Sequence, residues 1–136
     1  MALRKNAKLE LLKRVPLFAD CSKRELDEVA KIADELDFRE GKVLTREGAA
    51  GREFFVIVEG TAEATQGRKR LRTMSDGDFF GEISLITRLP RTATVTTISP
   101  MRALVVSDRS FRRLLQDDHA IRRKVLSALG ERLETP

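Results

Sequence analysis

Residues 79–95 read Phe-Phe-Gly-Glu-Ile-Ser-Leu-Ile-Thr-Arg-Leu-Pro-Arg-Thr-Ala-Thr-Val. Gly81-Glu82 follows an aromatic pair and opens a turn-length apolar segment, Ile83-Ser84-Leu85-Ile86. That segment is long enough for about two helical turns, and Pro90, which has no N–H, stops it. A helix N-terminus presents free backbone N–H groups and a partial positive charge, so it can hold an anion. Gly81 lets backbone approach closely because it has no Cβ. Arg91 arrives directly after the proline with a planar fork of donors suited to a phosphate. Glu82 has a place beside an anion when it serves a different group, and a ribose hydroxyl, which donates to a carboxylate, is such a group. Helix N-terminus, arginine fork and hydroxyl acceptor together describe a pocket for a phosphorylated ribose. Taken singly, the same residues also read as a turn glycine, an N-terminal helix carboxylate and a solvated arginine.

Outward from this stretch, short strand patterns stand on both sides, separated by glycine turns. Leu36 to Phe38, Val43 to Thr45, Phe54 to Glu59, Thr61 to Thr65 and Arg70 to Met74 precede it. Ala93 to Thr97 and Met101 to Val106 follow, divided by the turn signal Ser99-Pro100. Glycines at 41, 48, 51, 60, 67 and 77 punctuate the first group. This spacing points to a compact, mainly β roll rather than alternating βα units. Gln66-Gly67-Arg68 reads as a hairpin tip whose basic run is a solvated face.

Helices flank the roll. Residues 3 to 14 are moderately amphipathic, and Val15-Pro16-Leu17-Phe18 redirects the chain. Ser22-Lys23-Arg24-Glu25 is a capping box, and Leu26, Val29, Ala30, Ala33 and Leu36 recur at helical spacing, which predicts a helix from Lys23 to about Asp34. Asp108 suits an N-cap for a helix through Phe111, Leu114 and Leu115. A last helix is expected from Asp118 to about Arg132, with Ile121, Val125, Leu126, Leu129 and Leu133 on one face. The expected organisation is a single domain over 1–136: helices in 1–35, the roll in 36–107 with the stretch 79–95 inside it, and helices in 108–133.

The pair of motifs Phe80-Gly81-Glu82-Ile83-Ser84-Leu85 and Pro90-Arg91-Thr92-Ala93-Thr94-Val95 resembles the phosphate-binding cassette of the cyclic nucleotide-binding domain family. Gly41-x-Val43-Leu44, Glu47-Gly48 and Phe54-Phe55-Val56-Ile57-x-x-Gly60 are similar to that family's β-roll, and Val15-Pro16-Leu17-Phe18 to its entry segment. The resemblance covers about Leu12 to Arg132. It implies an antiparallel, jelly-roll-like β-roll, a double-stranded β-helix, and the binding of cAMP or, second, cGMP. By the same resemblance Arg91 pairs with the cyclic phosphate and Glu82 accepts from the ribose 2′-OH. Backbone N–H groups of Ile83, Ser84 and Thr92 complete the cradle, within a binding stretch that includes Phe80, Gly81 and Ala93. Thr92 adds a hydroxyl able to bond to phosphate or to a guanine amino group.

In the family the last helix folds over the base as a lid. This chain has no Trp or Tyr, and no Phe follows Phe111, so the aromatic cap of the family is absent. Arg122, Arg123, Leu126 and Leu129 are the candidate base contacts on that helix, with Val56 from the roll. The helix's apolar face suits equally a docked position on the roll, a homodimer or an effector partner.

Composition bounds the alternatives. The chain has 136 residues, 41% hydrophobic and 35% charged, and can bury a core of its own. No apolar run approaches the ~20 residues of a membrane helix. The N-terminus lacks a secretory h-region, and Cys21 is the only cysteine, so a cytoplasmic home is expected. The net charge of +5 is spread over several segments without aromatic interleaving, so a nucleic-acid or membrane-surface adaptor rests on charge alone. His119 is the sole histidine, which leaves no metal constellation of the kind a phosphodiesterase needs. No phosphate loop, nucleophile elbow or kinase signature is present. The expectation is a non-catalytic sensor without a cofactor, its ligand a cyclic nucleotide. The rival is a structural or oligomerising roll that has lost its ligand. The resemblance leaves no room for a helix-turn-helix after the last helix, so a stand-alone sensor or a module of a larger protein is expected; the start at Met1 suits an N-terminal module or a short complete protein.

Overall fold

Ser22 and Glu25 close the reciprocal cap their spacing predicts. Glu25 N–H donates to Ser22 Oγ at 3.2 Å, and Ser22 N–H donates to Glu25 Oε1 at 2.7 Å. In this computed structural model, which describes residues 3–134 (side chains of Ile83, Ser84 and 131–134 excepted), the cap starts helix α2, Lys23–Lys31. It follows helix α1, Lys5–Lys13, and a single 3-10 turn at Pro16–Phe18.

Helix α2 stops earlier than its apolar spacing predicts. Ala33 and Leu36 continue the helical period, yet strand β1 begins at Ala33 and runs to Phe38. It pairs antiparallel with β8, Met101–Ser107, from Ala33 opposite Val106 to Phe38 opposite Met101. The ladder outweighs local helix propensity, which is worth only tenths of a kcal/mol per residue. Leu36 is consequently 44% exposed instead of lying on a buried helix face.

The other strands are β2 Val43–Thr45, β3 Glu53–Glu59, β4 Ala62–Gln66, β5 Lys69–Met74, β6 Phe79–Phe80 and β7 Thr94–Thr97. They form two four-stranded sheets, ordered β1-β8-β3-β6 and β2-β7-β4-β5, with antiparallel pairing throughout. The architecture is the expected mainly-β roll with flanking helices. The aromatic pair Phe79-Phe80, which carried no strand expectation, pairs with Val56 and Phe55 of β3.

Strand β3 explains its own unbroken apolar run. Successive side chains point to opposite faces of a sheet, and β3 is covered on both. Phe55 and Ile57 face the inside of the roll with Met74, Phe80, Val95 and Ala103. Phe54 and Val56 face the helices with Leu12, Phe18, Val29, Phe111 and Val125. Phe18, Phe54 and Phe111 meet at centroid distances of 5.9–6.4 Å, and Phe55 stacks on Phe80 at 4.8 Å. Gly60 lets the β3–β4 turn lie directly on the β7–β8 turn: a Cβ there would stand 2.6 Å from Pro100 O.

After β8 come helices α4, Asp108–Asp117, and α5, His119–Glu134. The cap of α4 is Ser107, not Asp108: Ser110 N–H donates to Ser107 Oγ at 3.2 Å. Strand β8 extends to Ser107, which places Asp108 inside the first turn. Asp118 caps α5 by accepting from Ile121 N–H at 3.0 Å. Ile121, Val125, Ala128 and Leu129 bury α5 in the helix-side core. Leu133, expected on the same face, lies outside the described side chains. No helix among the described residues is long and apolar enough to cross a membrane.

Candidate ligand-binding site

Helix α3, Glu82–Thr87, follows β6 directly, and Gly81 between them takes φ +91°, a backbone region that favours glycine. Leu85 anchors α3 in the helix-side core, with 2% exposure. Arg91 is fixed at both its backbone and its side chain. Its N–H donates to Ala49 O at 2.9 Å, and its carbonyl accepts from Gly48 N–H at 2.8 Å. Its guanidinium donates to Gly81 O at 3.0 Å and to Glu53 O. One side chain thus ties the entry of α3 to the start of β3.

Arg91 is only 8% exposed. Burial pushes its guanidinium below the ordinary arginine value, while the Glu53 and Glu82 carboxylates work against that shift. An arginine remains a cation at neutral pH regardless. Glu82, in the first turn of α3, is 5% exposed.

Both residues line a cavity of about 530 Å³ between α3, the 89–93 segment and the β2-β7-β4-β5 sheet. That size lies within the range of small-molecule sites. Phe80, Gly81, Thr92 and Ala93 line it too. The backbone of Ile83 and Ser84 lies in the first turn of α3. Two arginines, Arg72 and Arg91, and two carboxylates, Asp78 and Glu82, line the cavity.

The other expected contacts lie elsewhere. Val56 is fully buried on the helix side of β3, because its parity along the strand is opposite to that of Phe55. Leu129 packs in the helix-side core, while Arg122, Arg123 and Leu126 face solvent on α5. None of the described residues lining the cavity comes from α4 or α5. Sequence reasoning missed Leu71 and Arg72 of β5 and Leu89 before the proline, all at the cavity. The basic run of β5 reads as a solvated face, and the strand is indeed an exposed edge.

The profile of the cyclic nucleotide-binding domain matches residues 35–118, from β1 through the α4–α5 junction. The chain belongs to the cyclic nucleotide-binding domain family. Among curated relatives, the domain is 40% identical over 118 residues to a cAMP-dependent protein kinase regulatory subunit of Mycosarcoma maydis, covering 78% of this chain and 22% of that one. It is 38% identical over 120 residues to cGMP-dependent protein kinase, isozyme 1, of Drosophila melanogaster, covering 80% of this chain and 15% of that one. The domain thus spans a quarter or less of these two proteins. Among solved structures, the N-terminal domain of a transcriptional regulator from Streptomyces coelicolor A3(2) superposes with a TM-score of 0.82 at 27% identity, covering 90% of this chain and 91% of that one. A cyclic nucleotide-binding-like protein from Brucella abortus gives 0.73 at 27% identity, over 80% and 97%.

Among the described residues no group of three or more His, Cys, Asp or Glu could hold a metal ion.

Proposed function

We propose that this domain is a non-catalytic sensor that binds cAMP, and cGMP less tightly, in the 530 Å³ cavity, and that binding repositions the C-terminal helices. The observation that carries the reading is the convergence of Arg91 and Glu82, both nearly buried, on one cavity beside the N-terminus of α3. A guanidinium has five N–H donors, more than the two carbonyls use, so Arg91 can hold a phosphate in a charge-assisted pair. Backbone N–H groups at Ile83, Ser84 and Thr92 supply the rest of the cradle. Glu82 accepts the ribose 2′-OH. Charge-assisted bonds contribute roughly 1.5–3 kcal/mol each, and micromolar affinity needs about −8 kcal/mol. Phosphate, ribose and base must therefore share the binding.

Val56 stays a packing residue in this reading. The base contacts on α5, namely Arg122, Arg123, Leu126 and Leu129, require that helix to move toward the cavity. Differential affinity for its two positions is what makes the domain a switch. The C-terminal helix α5 is also the element through which a second copy or an effector would dock. A purely structural roll accounts for Arg91 as the tie between α3 and β3, but not for a second buried charge, Glu82, lining the same cavity.

One observation favours a second reading, with cGMP as the preferred ligand. Arg72 lines the cavity beside Leu71, and a guanidinium is matched to the O6/N7 edge of guanine. Thermal unfolding with and without millimolar cAMP or cGMP tests both. A ligand at 100 times its dissociation constant stabilises by about 2.7 kcal/mol, a shift of several degrees for this size. The larger shift names the ligand, and no shift with either nucleotide rejects the sensor.

A further inference from the structure

Helix α5 is held by the first turn of α2, outside the cavity lining. Glu25 is 3% exposed, and its carboxylate accepts from Lys124 Nζ as well as from Ser22 N–H. The pair joins residues 99 apart in sequence. One residue earlier, Arg24 Nη1 lies 3.7 Å from Asp118 Oδ2, and Asp118 is the residue that caps α5. The same carboxylate therefore starts α2 and fastens α5. Lys124 is partly buried, with 29% of its side chain exposed, whereas Arg24 is 68% exposed and its pairing with Asp118 is correspondingly screened. The grip resides mainly in Glu25 and Lys124.

Two facts make this more than a structural ion pair. First, Ile121, Val125 and Leu129 bury α5 against the same helical cluster that holds Phe18 and Val29, so the helix cannot approach the cavity without leaving its seat. Second, no described residue of α5 lines the cavity. The Lys124 bond to Glu25 exists only while α5 is seated, whereas the Ser22 N–H bond to the same carboxylate lies within α2's own cap, so the pair acts on the position of α5.

We infer that Glu25 and Lys124 form a latch that holds α5 on the N-terminal helices, and that the α5 movement accompanying ligand binding proceeds through release of this pair. The inference rests on the sensor reading above. The latch sets the fraction of molecules whose α5 is displaced before ligand arrives, and apparent affinity scales with the competent fraction. Weakening the latch raises affinity without touching the cavity.

The test uses Glu25→Gln, Lys124→Met and the double variant. Glutamine keeps an oxygen for Ser22 N–H, and methionine keeps the apolar stem; Lys124→Met, at the partly exposed end, serves if the buried substitution fails to fold. Two measurements are made on the whole chain: amide hydrogen exchange of α5, without nucleotide, and cAMP and cGMP titrations. The expected result is faster exchange in α5 and tighter binding of the preferred nucleotide by about three- to tenfold, with the double variant no further shifted than either single one. Unchanged α5 exchange overturns the latch. So does faster exchange with unaltered affinity in a parent that binds nucleotide. Faster exchange in variants of a parent that binds neither nucleotide keeps the fastening role and overturns the sensor reading together with the coupling.

Discussion

The guanidinium of Arg91 occupies the space that a side chain on Gly81 would fill. A Cβ at residue 81 would collide with Arg91 Nη1 and stand 3.0 Å from Glu53 O. The glycine of the cassette is therefore required twice, by its φ of +91° and by the arginine packed against it.

Gly81→Ala should destabilise the fold by about 1–3 kcal/mol through left-handed strain and the collision. It should also displace Arg91 from Gly81 O and weaken nucleotide binding more than tenfold. Urea unfolding and a nucleotide titration check the two effects separately. Gly60→Ala meets Pro100 O and Met101 instead, remote from the cavity lining, so it should lower stability while leaving the affinity of the folded fraction unchanged.

The Glu25 carboxyl is held at about 2, below its ordinary 4.5, by the bonds from Lys124 and from Ser22, against the opposing effect of burial. Because the folded value is the lower one, this stabilisation is complete above about 4.5 and is lost as pH falls toward 2. Asp27 and Asp37, lowered by Lys5 and Arg102, share the direction, so the comparison that isolates Glu25 is the parent against Glu25→Gln. The parent should lose more stability than the variant between pH 5 and pH 2, read by urea midpoints.

Cys21 is 4% exposed, and burial, with the Glu25 carboxylate beside it, raises its thiol to about 11. A thiol so placed should resist a maleimide at pH 8 in the folded protein and react promptly in urea, since the thiolate is the nucleophile. Prompt labelling without denaturant would contradict the burial of Cys21 in the helix-side core.

Much of this was legible in the sequence for identifiable reasons. Glycines with positive φ mark the turns, and Ser22 with Glu25 marks a helix start, because both signals are local. The sequence expectation also set Gly81, Glu82 and Arg91 beside one another, and all three line one cavity, because a short turn of helix and a proline separate them in the chain. What failed was long-range. Ala33 and Leu36 satisfy a helical period, and only pairing with β8 makes them a strand. Val56 and Phe55 are neighbours of equal hydrophobicity, and only the two-sided covering of β3 sends one to the helices and the other to the roll. Leu71 and Arg72 reach the cavity because β5 is the edge beside it, a fact of sheet order that no local pattern carries.

If Arg91 holds the phosphate of a cyclic nucleotide, calorimetric titration of cAMP and cGMP should show saturable binding to the parent and a loss of about 100-fold or more in Arg91→Ala, since two charge-assisted bonds vanish. Folding of the variant is checked by circular dichroism. A folded Arg91→Ala protein that binds either nucleotide as tightly as the parent would rule that role out.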